Sequence, residues 1–341
     1  CKTSLKGADA GLIDYMPCYF HEVPLLFQKG IYPVDVAVVQ LSKPSKEGYC
    51  SFGVSCDYTK PAADCAKIVI AEINDQMPAI GGDNFIHVTD LDYIIETSQP
   101  LFETSPVESS ELEFKIAKHC ASLIDDGATL QLGIGAIPNA VLSMLKDRKD
   151  LGVHTELFTE GIIDLVNAGV ITGKRKTIHP HKIIATFIMG TKRMYDFVHE
   201  NPIVELYPVD YVNDPYVIGL NDNMISINSC IEVDLMGQVN SESIGIRQYS
   251  GTGGQVDYVR GTRLSRGGKS IIAIPSTAAR GKISRIVPLL TQGAAVTTSR
   301  NDVDYIVTEY GIAHLTGKTL RQRAKLLIDV AHPKFREGLM E

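Results

Sequence analysis

The sequence predicts an α/β protein of two lobes, in which largely parallel sheets are flanked by helices. Short runs rich in β-branched residues alternate with helical stretches over most of the 341 residues. This alternation is typical of sheets whose strands are joined by helices. Most of the runs are almost continuously apolar, as expected of parallel strands that are covered on both faces. A polar segment interrupted by prolines, residues 96–110, divides the chain into two parts.

Six apolar runs are predicted to form strands, because each combines β-branched residues with flanking turn signals. These runs are residues 34–41, 67–72, 128–132, 182–187, 269–274 and 305–308. A helix is predicted over residues 111–126, since Ile116, Cys120 and Leu123 recur on one face and Gly127 is a suitable stop. In folds of this kind, ligands bind at the carboxyl ends of the strands.

The length and a hydrophobic content of 44% predict roughly two domains with a large buried core. We place the boundary in the dividing segment, so that residues 1–105 form the first lobe and residues 106–341 the second. No initiator methionine precedes Cys1, and the residues after it lack the apolar core of a signal peptide. We therefore expect this sequence to be a fragment in which the N-terminal part of the first lobe is absent.

Composition and charge argue against several classes of function. A formal net charge of −7 disfavours general nucleic-acid binding, since a phosphate backbone requires a basic face. No apolar run approaches the roughly 18 residues that a membrane-spanning helix needs. The seven cysteines lie scattered without a CxxC pair, which favours a reduced, cytoplasmic protein over a disulfide scaffold. His21 and His154 are isolated and lack the spacing of metal ligands, so no metal site is predicted.

A glycine-rich turn follows the predicted strand 128–132. The segment LQLGIGAIPN, residues 130–139, runs from the strand through Gly133 and Gly135 into a helix. Backbone N–H groups in such a turn, together with the helix N-terminus, attract negative charge. The glycine spacing does not match the dinucleotide-binding fingerprint. Two interpretations stay open for these residues alone: a cradle for an anion, or a tight strand–helix turn.

A single carboxylate, Glu156, lies about twenty residues after the turn in the segment VHTELFTEG, residues 153–161, at the end of what reads as a further short strand. A carboxylate beside donor-rich backbone is suited to attack a carbonyl whose oxygen becomes anionic. Taken alone, however, a glutamate in this place is more often structural or a helix cap. Glu160 and Asp164 are four residues apart and are expected to share a solvent-facing side of the following helix. We expect His154 to be a partner of neighbouring groups rather than a catalytic base.

A second glycine cluster lies at residues 250–258, with the sequence SGTGGQVDY. Such a cluster allows the backbone to approach a ligand closely, or simply forms a flexible turn. Ser241 and Ser243 lack the nucleophile elbow of a serine hydrolase. A hydrolase of that type is therefore not predicted.

Seven segments in consistent order carry a resemblance to a known family. They are FHEVP (20–24), LQLGIGAIP (130–138), MGTKRMYDF (189–197), DLMGQ (234–238), GTGGQVD (251–257), AAVTTSRND (294–302) and TEYGIA (308–313). The sequence resembles the acetyl-CoA hydrolase/transferase branch of the class I CoA-transferases, and within it the 4-hydroxybutyrate and butyryl-CoA:acetate CoA-transferases. The resemblance covers nearly the whole chain and implies two lobes of the CoA-transferase, isomerase-like fold.

The resemblance implies roles for individual residues. Glu156 matches the glutamate that CoA converts into a thioester, and Asn213 matches a polar residue that positions the reacting carboxylates. Ile134 is implied as the donor of an oxyanion N–H. Glu309 also matches an acid of the family, without an assigned role. The residues implied to bind CoA or the oxyanion are Gly133, Ile134, Gly135, Ala136, Ile137, Ile231, Gly253 and Gly254.

The activity implied by the resemblance is acyl-CoA:carboxylate CoA transfer through a glutamyl-CoA thioester, with acetyl-CoA, butyryl-CoA and 4-hydroxybutyrate as candidate substrates. Coenzyme A would be acyl carrier and covalent intermediate, with no tightly bound cofactor. A cytoplasmic homodimer without nucleic-acid or membrane partners is implied as well. Two alternatives stay open. One is an acyl-CoA hydrolase on the same scaffold, and the other is a non-catalytic sensor that binds a sugar phosphate or acyl-CoA on the related isomerase-like fold.

Overall fold

The computed structural model describes residues 6–8, 10–105 and 107–341. The expectation about what precedes Cys1 therefore lies outside the described residues. Within these ranges the chain forms an α/β fold dominated by one large, mostly parallel sheet, which confirms the predicted fold class. None of the helices in the described ranges combines the length and the apolar character that crossing a membrane requires.

Helices and strands alternate along the chain. The α-helices are α1 Val23–Gln28, α2 Thr59–Cys65, α3 Glu111–Ala121, α4 Ala136–Ser143, α5 Gly161–Asn167, α6 Lys192–Val198, α7 Val209–Val212, α8 Pro215–Gly219, α9 Gln255–Leu264, α10 Leu320–Val330 and α11 Arg336–Met340. Short 3-10 turns occur at Phe20–Glu22, Val88–Asp90 and Pro333–Phe335.

The strands are mostly short. They are β1 Val36–Leu41, β2 Tyr49–Ser51, β3 Ile68–Asn74, β4 Gly81–Gly82, β5 Phe85–His87, β6 Tyr93–Thr97, β7 Thr129–Leu132, β8 Gly152–His154, β9 Leu157–Phe158, β10 Ile183–Ala185, β11 Phe187–Ile188, β12 Val204–Leu206, β13 Met224–Asn228, β14 Glu232–Asp234, β15 Val239–Asn240, β16 Ser243–Ile244, β17 Arg247–Gln248, β18 Lys269–Ala273, β19 Thr277–Ala278, β20 Ile283–Ser284, β21 Ile286–Val287, β22 Tyr305–Thr308 and β23 Gly311–His314.

The large sheet has nine strands in the order β23-β22-β18-β13-β7-β8-β10-β12-β4. Every neighbouring pair in it is parallel except β22 and β23, which form an antiparallel edge. Because the central strands run in one direction, the loops after β7, β8, β10 and β13 meet at one edge. This carboxyl edge is where a ligand site is expected in such a sheet.

Both faces of the large sheet are buried, as the continuous apolar runs predict. Along β18, Ile271 belongs to a core that includes residues of α3 and α4, whereas Ile272 belongs to a second core that includes residues of α10. Both side chains are fully buried. Successive residues of a strand point to opposite faces, so one short run supplies both cores.

A smaller parallel sheet, in the order β1-β3-β6, lies within the first 105 residues and has its own hydrophobic core. The same part of the chain also gives β4 to the edge of the large sheet, where Gly82 pairs with Leu206. The boundary between 1–105 and 106–341 stays a prediction.

Two predicted elements have different bounds in the structure. The helix predicted over 111–126 ends at Ala121, because the N–H groups of Leu123 and Ile124 bond three residues back, to the carbonyls of Cys120 and Ala121. These tighter turns bring the apolar end of the segment into the core before Gly127, which adopts a φ of +78°.

The run 182–187 forms two strands rather than one. Thr186 separates β10 from β11, and its carbonyl accepts the N–H groups of Cys56 and Asp57 from another segment. One central strand, β13, is absent from the strands predicted from the sequence, and its residues Met224 to Ile227 are buried. Thr186 thus bends the chain at the carboxyl edge, beside the residues described next.

Candidate active site

Glu156 lies at the carboxyl edge of the large sheet, in the break between β8 and β9. Its backbone carbonyl accepts hydrogen bonds from the N–H groups of Thr186 at 3.0 Å and Phe187 at 3.2 Å. These two bonds hold the backbone of residue 156 against the similar break between β10 and β11. The carboxylate is therefore presented from a fixed support, as the predicted strand-end position requires.

Two donors contact the Glu156 carboxylate. Nδ2 of Asn213 donates to Oε2 of Glu156 at 2.8 Å, and the N–H of Gly254 donates to the same carboxylate. Asn213 is fully buried at the end of α7, and Gly254 caps the start of α9. A Cβ atom at residue 254 would overlap both the Glu156 carboxylate and the Asn213 amide, so only glycine fits there.

The acidity of Glu156 is strongly altered by this environment. Burial raises the pKa of Glu156 to about 7, even though the hydrogen bond from Asn213 favours the ionised form. The negative charge of Asp257 raises the pKa of Glu156 further, while the N–H of Gly254 lowers it. A carboxylate with such a pKa is still available as a nucleophile near neutral pH and is poorly solvated, which favours attack on an acyl group.

Neither Asp257 nor His21 is among the site residues predicted from the sequence, in which His21 looks isolated. Asp257 is 1% exposed in the first turn of α9. Its Oδ1 lies 2.8 Å from Nδ1 of His21, and its Oδ2 accepts the backbone N–H of His21 at 3.3 Å. Oδ2 also accepts a hydrogen bond from Nδ2 of Asn213 at 3.5 Å. Asp257 ends the quoted segment GTGGQVD, but its partner His21 stands 236 residues away, so no local pattern links them.

The charge state of His21 follows from this contact. Burial alone lowers the pKa of His21, but the hydrogen bond and the negative charge of Asp257 outweigh it and raise the pKa above its ordinary value. The protonated imidazole is thus stabilised beside a buried carboxylate. A second acid and a cation accompany the predicted nucleophile.

The glycine turn between β7 and α4 offers free backbone donors. The N–H groups of Ile134 and Gly135 have no hydrogen-bond partner among the residues that the structure describes. Gly135 has a φ of +122°, a conformation that a side chain would strain. Gly133 differs, because its N–H donates to the carbonyl of Ile227 at 3.1 Å and extends the β7–β13 ladder. The turn can therefore donate to an anion through Ile134, as the resemblance implies, but not through the N–H of Gly133.

A cavity of about 420 Å³ opens between the glycine turn and the second glycine cluster. Glu156 lines it, together with five other predicted residues: Gly133, Ile134, Ile137, Gly253 and Gly254. The amides of Gln131 and Asn228 also line it and bond to each other, with Nδ2 of Asn228 3.1 Å from Oε1 of Gln131. The sequence analysis did not single out these two amides, since β13, which ends at Asn228, was itself missed.

Four predicted residues do not line this cavity. Asn213 lies behind Glu156, and Gly135 lines a neighbouring cavity of about 230 Å³ that also includes Ile134. The carbonyl of Ala136 accepts a hydrogen bond from Oγ of Ser109, and the N–H of Ile231 donates to the carbonyl of Asn240. The structure thus brings most of the predicted set together, while CoA contacts of Ala136 and Ile231 stay predictions.

Three further residues have structural roles. His154 is fully buried, its Nε2 lies 2.8 Å from the carbonyl of Val212, and burial lowers its pKa to about 3, as expected of a neutral local partner. Glu309 accepts hydrogen bonds from the N–H and Oγ of Ser276, which joins the ends of β18 and β22. The expectation that Glu160 faces solvent is wrong: its side chain is 15% exposed, and Oε1 accepts a hydrogen bond from Thr191.

Known proteins resemble this chain over most of its length. Sequence models of the acetyl-CoA hydrolase/transferase N-terminal and C-terminal domains match residues 2–103 and 190–341. A 4-hydroxybutyrate coenzyme A transferase of Clostridium kluyveri is 65% identical over 98% of this chain and 78% of its own length. A butyryl-CoA:acetate CoA-transferase of Anaerostipes caccae is 41% identical over 98% of this chain and 77% of its own.

A solved structure gives the same result. The crystal structure of a 4-hydroxybutyrate CoA-transferase from Porphyromonas gingivalis has a TM-score of 0.88 and 55% sequence identity. The match covers 98% of this chain and 81% of that chain. With this identity over almost its whole length, the chain belongs to the acetyl-CoA hydrolase/transferase family.

Proposed function

We propose that this protein is an acyl-CoA:carboxylate CoA-transferase that uses Glu156 as its covalent nucleophile. The enzyme class was predicted from the sequence and is confirmed by the CoA-transferases among its relatives. One observation carries the assignment of the nucleophile: Glu156, held by Asn213 and Gly254, lines the same cavity as Ile134, whose N–H has no partner among the described residues. A nucleophile and an oxyanion donor therefore face a common space.

The reaction begins when a carboxylate oxygen of Glu156 attacks the thioester carbonyl. The C–S bond breaks, which leaves an acyl-glutamyl anhydride and the CoA thiolate. The thiolate then attacks the glutamyl carbonyl, so that a glutamyl-CoA thioester forms and the first carboxylate leaves. A second carboxylate attacks this thioester and reverses both steps. One thioester is exchanged for another without an external energy source, because covalent catalysis divides the exchange into easier steps.

Each tetrahedral intermediate carries a negative oxygen that the site must stabilise. We assign this role to the N–H of Ile134 in the glycine turn, which has no other partner among the described residues, and the N-terminus of α9 lies at Gly254, which also lines the cavity. A single backbone donor to an oxyanion contributes about 3–4 kcal/mol in comparable sites. The same cavity must exclude water, since both covalent intermediates hydrolyse readily.

We further propose a short acyl group that carries a second polar group, such as 4-hydroxybutyrate, in exchange with acetyl-CoA. The amide pair of Gln131 and Asn228 in the cavity wall supports this choice, because it offers donors and acceptors to a substrate hydroxyl. Butyrate is the alternative substrate, and the names of the relatives include both acids.

The decisive experiment combines turnover with mass spectrometry. With 4-hydroxybutyryl-CoA or butyryl-CoA and acetate, acetyl-CoA is expected to form faster than free CoA. Release of free CoA alone would instead identify a hydrolase on the same scaffold. The peptide that contains Glu156 is expected to gain one CoA adduct after treatment with acyl-CoA.

A matched pair of variants identifies the acylated residue. Glu156→Ala is expected to lose both the adduct and exchange while it still binds CoA, whereas Asp164→Asn, at an exposed acid on the same segment, is expected to keep both. Unimpaired exchange by Glu156→Ala would overturn the proposal. Binding of acyl-CoA without any turnover in the wild type would favour the non-catalytic sensor.

We also propose that the protein is a cytoplasmic homodimer, as the family resemblance implies. The cysteines in the described part of the chain are free thiols, which supports a reducing compartment. Light scattering after size-exclusion chromatography is expected to give the mass of two chains. A monomeric mass would contradict the dimer without affecting the proposed reaction.

A further inference from the structure

We infer that Asp257 and His21 act as a positioning pair, in which protonated His21 balances the charge of Asp257 and thereby keeps Glu156 ionised for attack. This inference rests on the proposed role of Glu156 as nucleophile. Neither residue touches Glu156 directly, so both act through Asn213 and through the local electric field.

The four side chains form a continuous line. Nδ1 of His21 lies 2.8 Å from Oδ1 of Asp257, and Nδ2 of Asn213 lies 3.5 Å from Oδ2 of Asp257 and 2.8 Å from Oε2 of Glu156. One amide group thus bridges two carboxylates. Because Asn213 and Asp257 are almost completely buried, solvent only weakly screens the repulsion between the carboxylates of Asp257 and Glu156.

The line joins three distant parts of the chain. His21 lies in the 3-10 turn Phe20–Glu22, which packs on α7, and Asn213 ends α7. Asp257 comes from the first turn of α9. This packing brings a residue of the first 105 into the site built by the rest of the chain, so the site is incomplete without it.

Two neighbouring carboxylates disfavour each other's ionisation. The negative charge of Asp257 adds to the effect of burial, raises the pKa of Glu156 further and so favours its protonated form, which is not a nucleophile. A proton on His21 offsets this penalty, since the imidazolium lies 2.8 Å from Oδ1 of Asp257 and opposes its negative charge. The backbone N–H of His21 also donates to Asp257, at 3.3 Å, and fixes its orientation.

Other charged and titratable groups act on the same pair. Glu22 and Asp214 act on His21 and favour its protonated form, while Asp57 acts on Glu156 and disfavours ionisation. Asp257 and Glu22 also act on the thiol of Cys18. Tyr258 lies close enough to be affected by both carboxylates.

Tyr19 extends the arrangement toward solvent. It stacks on His21 at 6.1 Å between ring centroids, and the Arg260 guanidinium lies 5.0 Å above the Tyr19 ring. Neither proposed substitution, at His21 or at Asp257, changes the charge of any of these neighbouring groups directly.

The pH dependence of kcat/KM for CoA transfer tests the pair. His21→Gln removes the balancing cation, and we expect the acid limb of the profile to move to higher pH by about one unit, the size typical of a single neighbouring charge. Asp257→Asn removes the opposing anion, but burial then lowers the pKa of His21 and removes the cation as well, so the limb is expected to move less than in His21→Gln. The double variant removes both charges and is expected to return the limb near its wild-type position.

Controls separate this role from a structural one. His314→Gln breaks another His–Asp contact, with Asp304 at 3.1 Å on the antiparallel edge of the sheet, and is expected to leave the limb unchanged. Asp257 is buried and its variant can fail to fold, but the His21 side chain is 21% exposed, so His21→Gln decides the test in that case.

If His21→Gln lowers the plateau of kcat/KM but leaves the acid limb at its wild-type pH, the inference is wrong. A purely structural loss would reduce the rate in this way, without shifting the limb. The wild-type CoA adduct distinguishes the two proposals. If the adduct on Glu156 forms but the limb does not move, only the positioning pair is wrong. If no adduct forms, the proposed nucleophile itself is wrong.

Discussion

Asn213 donates a hydrogen bond from Nδ2 to Oε2 of Glu156 at 2.8 Å, across 57 positions of sequence. The two residues come from separate loops at the carboxyl edge of one parallel sheet. The amide holds one carboxylate oxygen, which orients the carboxylate toward the cavity. This contact orients the glutamate that we propose as the nucleophile.

Replacement of Asn213 tests that orientation. Asn213→Ala removes the donor, and we expect kcat to fall by about 10²–10³, the loss typical of one donor in a catalytic site. The loss of one buried hydrogen bond lowers the free energy of unfolding by about 1–3 kcal/mol, so the variant is expected to remain folded. Transfer kinetics and thermal unfolding measure both effects. An unchanged kcat would show that the amide does not support the nucleophile.

Replacement of Gly254 tests whether the N-terminus of α9 must approach the Glu156 carboxylate closely. Gly254→Ala places a methyl group where the Glu156 carboxylate and the Asn213 amide stand, and transfer is expected to fall by at least about 10²-fold as both groups are displaced. Gly338→Ala, in α11 and away from the cavity, is the control, since a Cβ there would meet no atom within 4 Å. We expect near wild-type kinetics for that control. Equal kinetics of the two variants would contradict a specific requirement at 254.

The rate of transfer is expected to depend on pH through Glu156. Burial raises the pKa of Glu156 to about 7, and only the ionised carboxylate attacks the thioester. Below that pH, kcat/KM is expected to fall about tenfold per unit, while above it the rate reaches a plateau. Carboxylic acid substrates ionise at much lower pH and do not produce this limb. A profile that is flat between pH 5 and 8 would contradict an ionisation of Glu156 in this range.

The same pKa has a consequence for stability. Since burial raises the pKa of Glu156 in the folded protein, folding favours the protonated form, and the stability that it supplies is lost as pH rises from the ordinary glutamate range through about 7. Glu156→Gln keeps a neutral side chain at every pH. We therefore expect this variant to unfold at a higher temperature than the wild type at pH 8 and at a similar temperature at pH 4.

The pH dependence of the wild type alone would not isolate Glu156, because Lys176 also affects it. The measurement therefore compares Glu156→Gln with the wild type. Burial lowers the pKa of Lys176 to about 7, so it titrates in the same range, but it contributes equally to both. A Tm difference that does not grow between pH 4 and pH 8 would show that ionisation of Glu156 does not destabilise the folded protein.

Local sequence was sufficient to predict much of the fold. The strand Tyr305–Thr308 has the predicted bounds, and β1, β3, β7 and β18 differ from prediction by one or two residues at an end. Each is a short apolar run whose burial is decided by its own side chains. The errors occur where another segment intervenes, as at Thr186, whose carbonyl bonds to a distant loop.

The candidate site was predicted unevenly for the same reason. Glu156 and the glycine turn are recognisable in continuous segments, and their positions at strand ends follow from the order of elements. Glu160 was expected at the surface because helical periodicity is local, but the loop that carries Thr191 covers it. Asp257 stood within a quoted motif without a role, since its function depends on what it contacts.

By itself, the sequence determined the family, the α/β fold and the identity of Glu156 as the candidate nucleophile, because these depend on residue types in continuous segments. Only the tertiary structure decided which backbone donors are free and which charges surround the nucleophile. Gly133 and Ile134 are adjacent in sequence, yet only the N–H of Gly133 is used by the sheet. His21 reaches Asp257 across 236 residues, a distance that chain folding closes and no local pattern reveals.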